Sequence, residues 1–150
     1  MLNLYQVVFK SLAAHHVKYV MIGGMAAAIH GVPRFTLDVD LLIEPTLANA
    51  DALINALADA DVNAIMTTTP EALLAHEITM INDYVNVDIM TTTPGITFAD
   101  AWSNRVTMEY EGVTIELVSR PDLIRSKRAA GRKIDLDDVG ILEMLEKESE

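Results

Sequence analysis

Arg34-Phe-Thr-Leu-Asp-Val-Asp-Leu-Leu-Ile43 sets two aspartates, Asp38 and Asp40, inside a run of core-type residues. Gly31-Val-Pro33 breaks the chain before this run and Glu44-Pro45 ends it, so the pattern predicts an extended, central strand over 34–43. Residues two apart on a strand face the same way, ~6.6 Å apart. Asp38 and Asp40 therefore present two carboxylates to one side while Val39 faces the other, and by the same alternation Arg34 and Thr36 join them. Two buried, unpaired anions held side by side repel each other strongly. A divalent cation removes that repulsion, which favours metal binding over the alternative, a wet acidic face on an edge strand. Asp-x-Asp recurs at 59/61 and 135/137. There a helix end and a helix start account for the acids structurally.

Downstream, Val85-Asn-Val-Asp-Ile-Met90 alternates in the same manner and offers a third carboxylate, Asp88. If the two strands are neighbours, Asp38, Asp40 and Asp88 can converge on a pair of Mg²⁺ ions about 3.5–4 Å apart. Upstream, Val17 to Ile22 reads as a buried strand stopped by a tight turn at Gly23-Gly24, followed by a small helix from Met25 to His30. Glycines lack Cβ, so they let a triphosphate approach backbone N–H groups at the N-terminus of that helix, where the dipole favours anions.

Further out, the elements are set by periodicity and caps. Residues 2–16 carry Leu2, Tyr5, Phe9, Leu12 and Ala13 at helical spacing, and Thr46 caps a second helix reaching about Ala60. Short strands are expected at 64–66, 78–81 and 85–90 around a helix over 70–76. Arg105–Tyr110 and Val113–Leu117 flank Glu111-Gly112 as an antiparallel hairpin. Ser119-Arg-Pro-Asp122 starts a helix that Gly131 ends. A last helix from Ile134 or Asp135 turns Val139, Ile141, Leu142 and Leu145 inward, with 146–150 as a frayed tail. Met-Thr-Thr-Thr-Pro occurs at 66–70 and 90–94, too short for a repeat unit and read in both places as a strand end running into a threonine cap. One domain over 1–150 is expected.

Composition narrows the function. The chain has 150 residues, no cysteine and a net charge of −11, with 51% apolar residues, which suits a globular domain and excludes disulfides and thiol nucleophiles. Its longest apolar run, Tyr19–Ile29, falls short of a membrane span, and the start shows no leader, so a cytoplasmic location is expected. The acidic balance argues against an extensive nucleic-acid surface. Positive charge is local: six of the eleven cations lie between Arg120 and Lys133. No P-loop, dinucleotide fingerprint or Gly-x-Ser-x-Gly is present. His15, His16 and His76 form no ligand pattern, and His30 is read as closing its helix.

Taken in order, Val20-Met-Ile-Gly-Gly24, His30-Gly31, Arg34-x-Thr-x-Asp-x-Asp40 and Val87-Asp88-Ile89 resemble the nucleotidyltransferase superfamily with the polymerase-beta-like palm, in particular its small bacterial abortive-infection-type members. Leu123-Ile-Arg-Ser-Lys127 with Ala130-Gly-Arg132, Lys133, Asp135 and Asp138 is similar to their C-terminal helices. The resemblance spans about 17–142 and implies an α+β fold: a mixed sheet flanked by helices, with further helices at the C-terminus. It also implies that Asp38, Asp40 and Asp88 hold two Mg²⁺ ions, Asp88 also accepting a proton. A nucleoside triphosphate, ATP among the candidates, would then be bound by Gly23, Gly24, Arg34, Thr36, Lys127 and Arg132. Many relatives have Gly-Ser where this chain has Gly23-Gly24. Arg34 either binds triphosphate or neutralises Asp38, and the 120–133 cluster is otherwise a solvated basic face.

These features give two expectations. The first is a Mg²⁺-dependent transfer of a nucleoside monophosphate to an acceptor hydroxyl on a small molecule, a protein or a tRNA end, releasing pyrophosphate. The second is a non-catalytic palm, such as a toxin–antitoxin component, that acts by binding a partner. Since the chain holds little beyond the palm, a homodimer or a helical protein partner is expected to complete the cleft.

Overall fold

Residues 38–43 form an interior strand whose Val39, Leu41, Leu42 and Ile43 are fully buried, while Asp38 and Asp40 retain access to solvent. The computed structural model describes residues 3–149. It contains one six-stranded mixed sheet: β1 (Tyr19–Ile22), β2 (Asp38–Ile43), β3 (Ile78–Asn82), β4 (Asn86–Met90), β5 (Val106–Tyr110) and β6 (Val113–Leu117), ordered β3-β4-β2-β1-β6-β5. Seven helices flank it: α1 (Gln6–Ala14), α2 (Gly23–His30), α3 (Leu47–Asp59), α4 (Pro70–Ala75), α5 (Phe98–Asn104), α6 (Arg120–Ala130) and α7 (Lys133–Glu148). The fold is the mixed α+β arrangement expected. None of the described helices is long and apolar enough to cross a membrane.

Pairing puts the two carboxylate strands side by side. β2 runs antiparallel to β1 and parallel to β4, with Asp38 opposite Asn86 and Asp40 opposite Asp88. α2 lies against β1 and β2, and α6 and α7 pack on each other and against α2. On the other flank α1 packs on α3 and β6. Thr46 caps α3 by accepting from the Asn49 amide at 3.2 Å, and Asn49 is itself buried with its side chain bonded to the backbone of Lys18 and Glu44. In the β5–β6 hairpin Glu111 and Gly112 both have positive φ, +49° and +79°, the twist that a two-residue connection requires.

Several boundaries differ from expectation for identifiable reasons. The central strand begins at Asp38, not Arg34, because pairing ends there: β4 starts at Asn86, and the Asp83 amide closes a turn onto Val85 that leads back into β3. Residues 32–37 follow a turn instead, with the Arg34 amide donating to Val32 at 2.9 Å. Ala64–Met66 is not a strand but part of a 3-10 turn over Asn63–Thr67, anchored by the Asp83 carboxylate accepting from the Ala64 amide. In the first Met-Thr-Thr-Thr-Pro the cap is real, on Thr69, but no strand precedes it. In the second, β4 does end at Met90, whereas the helix that follows, α5, is capped four residues later by Thr97 and lies outside the elements expected from the sequence. The Gly23-Gly24 turn is the first turn of α2. α7 starts at Lys133 with Arg132 as its cap, and Glu146–Glu148 are helical, Glu146 pairing with Arg120 at 3.3 Å. Ile141 and Leu145 are only partly buried. The expectations for Leu2 and Glu150 lie outside the described residues.

Candidate active site

A single row of residues crosses four strands: Met80 on β3, Asp88 on β4, Asp40 on β2 and Ile22 on β1 are successive register partners. All four line one cavity of about 910 Å³, within the usual size for small-molecule sites. Asp38 lines it too, one step along β2. At the Ile22 end the chain turns directly into α2, so Gly23 and Gly24 bring the N-terminus of that helix against the carboxylates. Gly23 has φ +78°, and a Cβ there would stand 1.9 Å from Asp40 Oδ2. Glycine is therefore demanded twice at position 23, by backbone conformation and by the carboxylate. Position 24 is roomier: a Cβ would meet the Arg34 guanidinium at 3.4 Å.

Asp40 and Asp88 both lie above the usual carboxylate range. Burial, the Asp88 charge, the hydrogen bond to Asp88 and the Asp38 charge raise the Asp40 pKa to about 7, with Lys127 opposing them. Burial also raises Asp88, as does Asp38, while the hydrogen bond donated by Asp40 lowers it. Beneath this pair the Tyr5 hydroxyl joins the two strands at their starts. It contacts the Leu37 carbonyl, lies 2.9 Å from the Asn86 carbonyl and accepts from the Asn86 amide at 3.0 Å. Burial raises its pKa, with smaller contributions from Asp38, Asp88 and Asp40.

The opposite wall is cationic, and every cation on it is tied down. Lys127, nearly fully buried, reaches Asp138 at 2.9 Å and Asp135 at 3.5 Å. Arg34 pairs with Asp138 at 2.6 Å, so it neutralises a carboxylate of α7 and not Asp38. Arg132 bonds Asp135 at 2.7 Å while 74% of its side chain stays exposed. Burial pushes Asp135 up, yet Arg132 and Lys127 hold it below the usual carboxylate range. Thr36 also lines the cavity, its hydroxyl accepting from the Asp38 amide at 3.3 Å. It arrives there from the loop and not by strand alternation.

Sequence reasoning missed Asp135 and Asp138 as organisers of this wall. Asp135 was assigned to the helix start, which is true of its capping role, and only its burial beside Lys127 adds the rest. The 120–133 cluster divides as well: Arg125 and Arg128 form the solvated face, paired to Asp122 and Glu143, whereas Lys127 points inward. His30 closes α2 as expected, bonded to the Val118 carbonyl at 2.7 Å, and burial lowers its pKa.

The donor chemistry fits a hard divalent cation at Asp40 and Asp88. Two neighbouring carboxylates whose ionisation is opposed by burial and nearby negative charge are the groups a divalent ion would stabilise in charged form. Asp38 adds negative charge to both, but among the described residues no three His, Asp or Glu side chains lie close enough to form a metal-binding group. The expected convergence of three carboxylates is thus a touching pair with Asp38 on the same wall.

Residues 4–147 match the model of a family described as nucleotidyltransferase of unknown function (DUF6036). Solved structures share the fold, and two of them are described as a nucleotidyltransferase or as nucleotidyltransferase-like. One is a candidate nucleotidyltransferase from Thermotoga maritima, 16% identical with a TM-score of 0.58 over 97% of this chain and 90% of that one. The other is an antigenic nucleotidyltransferase-like protein from Paracoccidioides brasiliensis, 18% identical with a TM-score of 0.57 over 93% and 73%. No curated protein matches the sequence.

Proposed function

The chain belongs to this family of nucleotidyltransferases of unknown function, and we propose that it transfers a nucleoside monophosphate from a Mg²⁺-bound nucleoside triphosphate to an acceptor hydroxyl. The observation that carries this reading is the row Asp88–Asp40–Ile22 running into the glycine-started helix α2, opposite a wall of tethered cations.

The triphosphate lies between the α2 N-terminus and the cationic wall. Backbone N–H groups at Gly23 and Gly24 and the helix dipole meet its oxygens. Lys127 and Arg34 supply positive charge, pre-oriented by Asp138, so little reorganisation is needed when the anion arrives. Asp40 and Asp88, with Asp38 beside them, would hold Mg²⁺, which would supply charge neutralisation for the phosphates and favour ionisation of the acceptor hydroxyl. Asp88 stands at the outer side of the pair, next to β3, and accepts the hydroxyl proton. The acceptor oxygen forms a bond to the α-phosphorus as the bond to the bridging oxygen breaks, and pyrophosphate leaves. The base of the nucleotide is open, ATP being one candidate.

Calorimetry with each of the four triphosphates, with and without Mg²⁺, on the native chain and on Asp38→Asn tests this. Binding that needs both Mg²⁺ and Asp38 supports the nucleotide site. Failure of all four to bind would transfer the assignment to a palm that acts through a protein partner.

A further inference from the structure

The row that carries the carboxylates continues past Asp88 onto β3. Met80 is the register partner of Asp88, and Ile78 that of Met90, so these three apolar side chains form a block on the cavity side of β3 and β4. Met80 is 68% and Ile78 52% exposed, although both sit on the floor of a cleft. Apolar side chains grouped in the open beside reactive groups mark a surface that something covers.

Charge is distributed just as unevenly. The cavity's three cations, Arg34, Lys127 and Arg132, are all bonded to Asp135 or Asp138 of α7, and Arg34 lies over Gly24 at the Ile22 end. At the Met80 end Asp88 is the register partner of Met80, and Glu77, next to Ile78, lines the cavity as well. With Asp88 engaged by the metal and the reacting hydroxyl, Glu77 is the charge that the rest of a ligand at this end meets.

We propose that this end of the row is the acceptor subsite, and that it takes a neutral or cationic hydroxyl compound with an apolar or ring-shaped face. The inference rests on the nucleotidyltransferase reading and narrows its acceptor. Neighbouring strands lie about 4.8 Å apart, so a molecule resting on Met80 places a hydroxyl within reach of the Asp88 carboxylate. Thioether groups at Met80 and Met90 make favourable contacts with ring edges. A polyanion would meet Glu77 at this end and a chain of net charge −11 around it, with every lining cation already bonded to a carboxylate of α7.

The test uses protein carrying ¹³C-methyl methionine, with the Met80 and Met90 signals assigned through Met80→Leu and Met90→Leu. In the presence of Mg²⁺ and a non-hydrolysable triphosphate analogue, the chain is titrated with 2-amino-1-phenylethanol, with mandelate and with a short oligoribonucleotide bearing a free 3′-hydroxyl. The first two probes share a benzylic alcohol and differ in the sign of their charge. The amino alcohol is expected to shift both methyl signals saturably, at tenfold lower concentration than mandelate, and the oligonucleotide to leave them unmoved. Glu77→Gln should narrow the tenfold gap, and Met80→Lys should abolish the Met90 response to the amino alcohol. Equal or stronger responses to mandelate or the oligonucleotide, or silence with all three probes, would overturn the acceptor class. Binding of the analogue is followed separately by calorimetry. Its loss counts against the nucleotide reading, whereas retained analogue binding with silent methionines counts against this subsite alone.

Discussion

The carboxylate of Asp40 occupies the space in which a side chain at residue 23 would begin. A Cβ on Gly23 would lie 1.9 Å from Oδ2 of Asp40, at a backbone φ of +78° that side chains disfavour. Gly23→Ala must therefore strain the turn and push Asp40 out of the row, and is expected to destabilise the fold by ~1–3 kcal/mol and remove Mg²⁺-dependent nucleotide binding. Gly24→Ser, facing a side chain at 3.4 Å that can move, should melt within a few degrees of the native chain and still bind. Thermal melts and calorimetry on the two variants check the pair.

Asp40→Asn should abolish pyrophosphate release while leaving the fold intact. The same variant exposes a pH effect. In the metal-free protein Asp40 has its pKa raised from 3.8 to about 7, so the folded state holds a proton the unfolded chain has lost across that window. Stability then falls as pH rises from about 4 to 7 and levels off above. Melting the native chain and Asp40→Asn at pH 5 and pH 8 should show the native chain losing more on the alkaline side; parallel losses would refute the raised Asp40 pKa.

Ion binding at the pair should release that proton. At pH 6, Mg²⁺ titrated calorimetrically in two buffers of different ionisation enthalpy should show uptake of protons by the buffer, shrinking towards zero above pH 8. Identical heats in both buffers would mean that the ion binds elsewhere.

Lys127 and Arg132 were equal candidates in the sequence and are unequal in the structure. Lys127→Met strips a buried cation from Asp138 and Asp135 and should cost about 3 kcal/mol, the low end for a broken buried pair because Arg34 and Arg132 remain. It should also move the pH window of Asp40 upward, since Lys127 opposes that shift. Arg132→Ala removes a largely exposed side chain and should cost less than about 1 kcal/mol. Denaturant melts of both distinguish the roles.

Tyr5→Phe deletes one oxygen that serves both carboxylate strands. The Asn86 amide is left without its acceptor, for an expected loss of ~1–3 kcal/mol. Weakened nucleotide binding alongside that loss would show that the clamp also positions the site; stability lost with binding intact would confine Tyr5 to the fold.

How much of this was legible in the sequence follows from which forces are local. Thr46, Ser119 and Glu111-Gly112 announce their elements because caps and two-residue turns are decided within a few residues. Asp38, Asp40 and Asp88 stand out because carboxylates at alternate positions in apolar runs have few structural explanations. The start of β2 at Asp38 is not legible in residues 34–37, because it depends on where β4 gives out. The role of Asp135 beside Lys127 is not legible because an acid in the first turn of a helix already has a sufficient local cause, and only the packing of α7 against α6 brings Lys127 to it.

The parallel pairing of β2 with β4 has a kinetic side. Parallel neighbours cannot be joined by a tight turn, and here α3, α4 and β3 all intervene before Asp88 can meet Asp40. Such distant contacts form late, after the chain has lost the entropy of closing a long loop. A nascent or partly folded chain thus carries every residue of the pair without the pair itself. Regaining Mg²⁺-dependent nucleotide binding after dilution from denaturant would then report when the last strands dock, separately from the earlier return of helical signal.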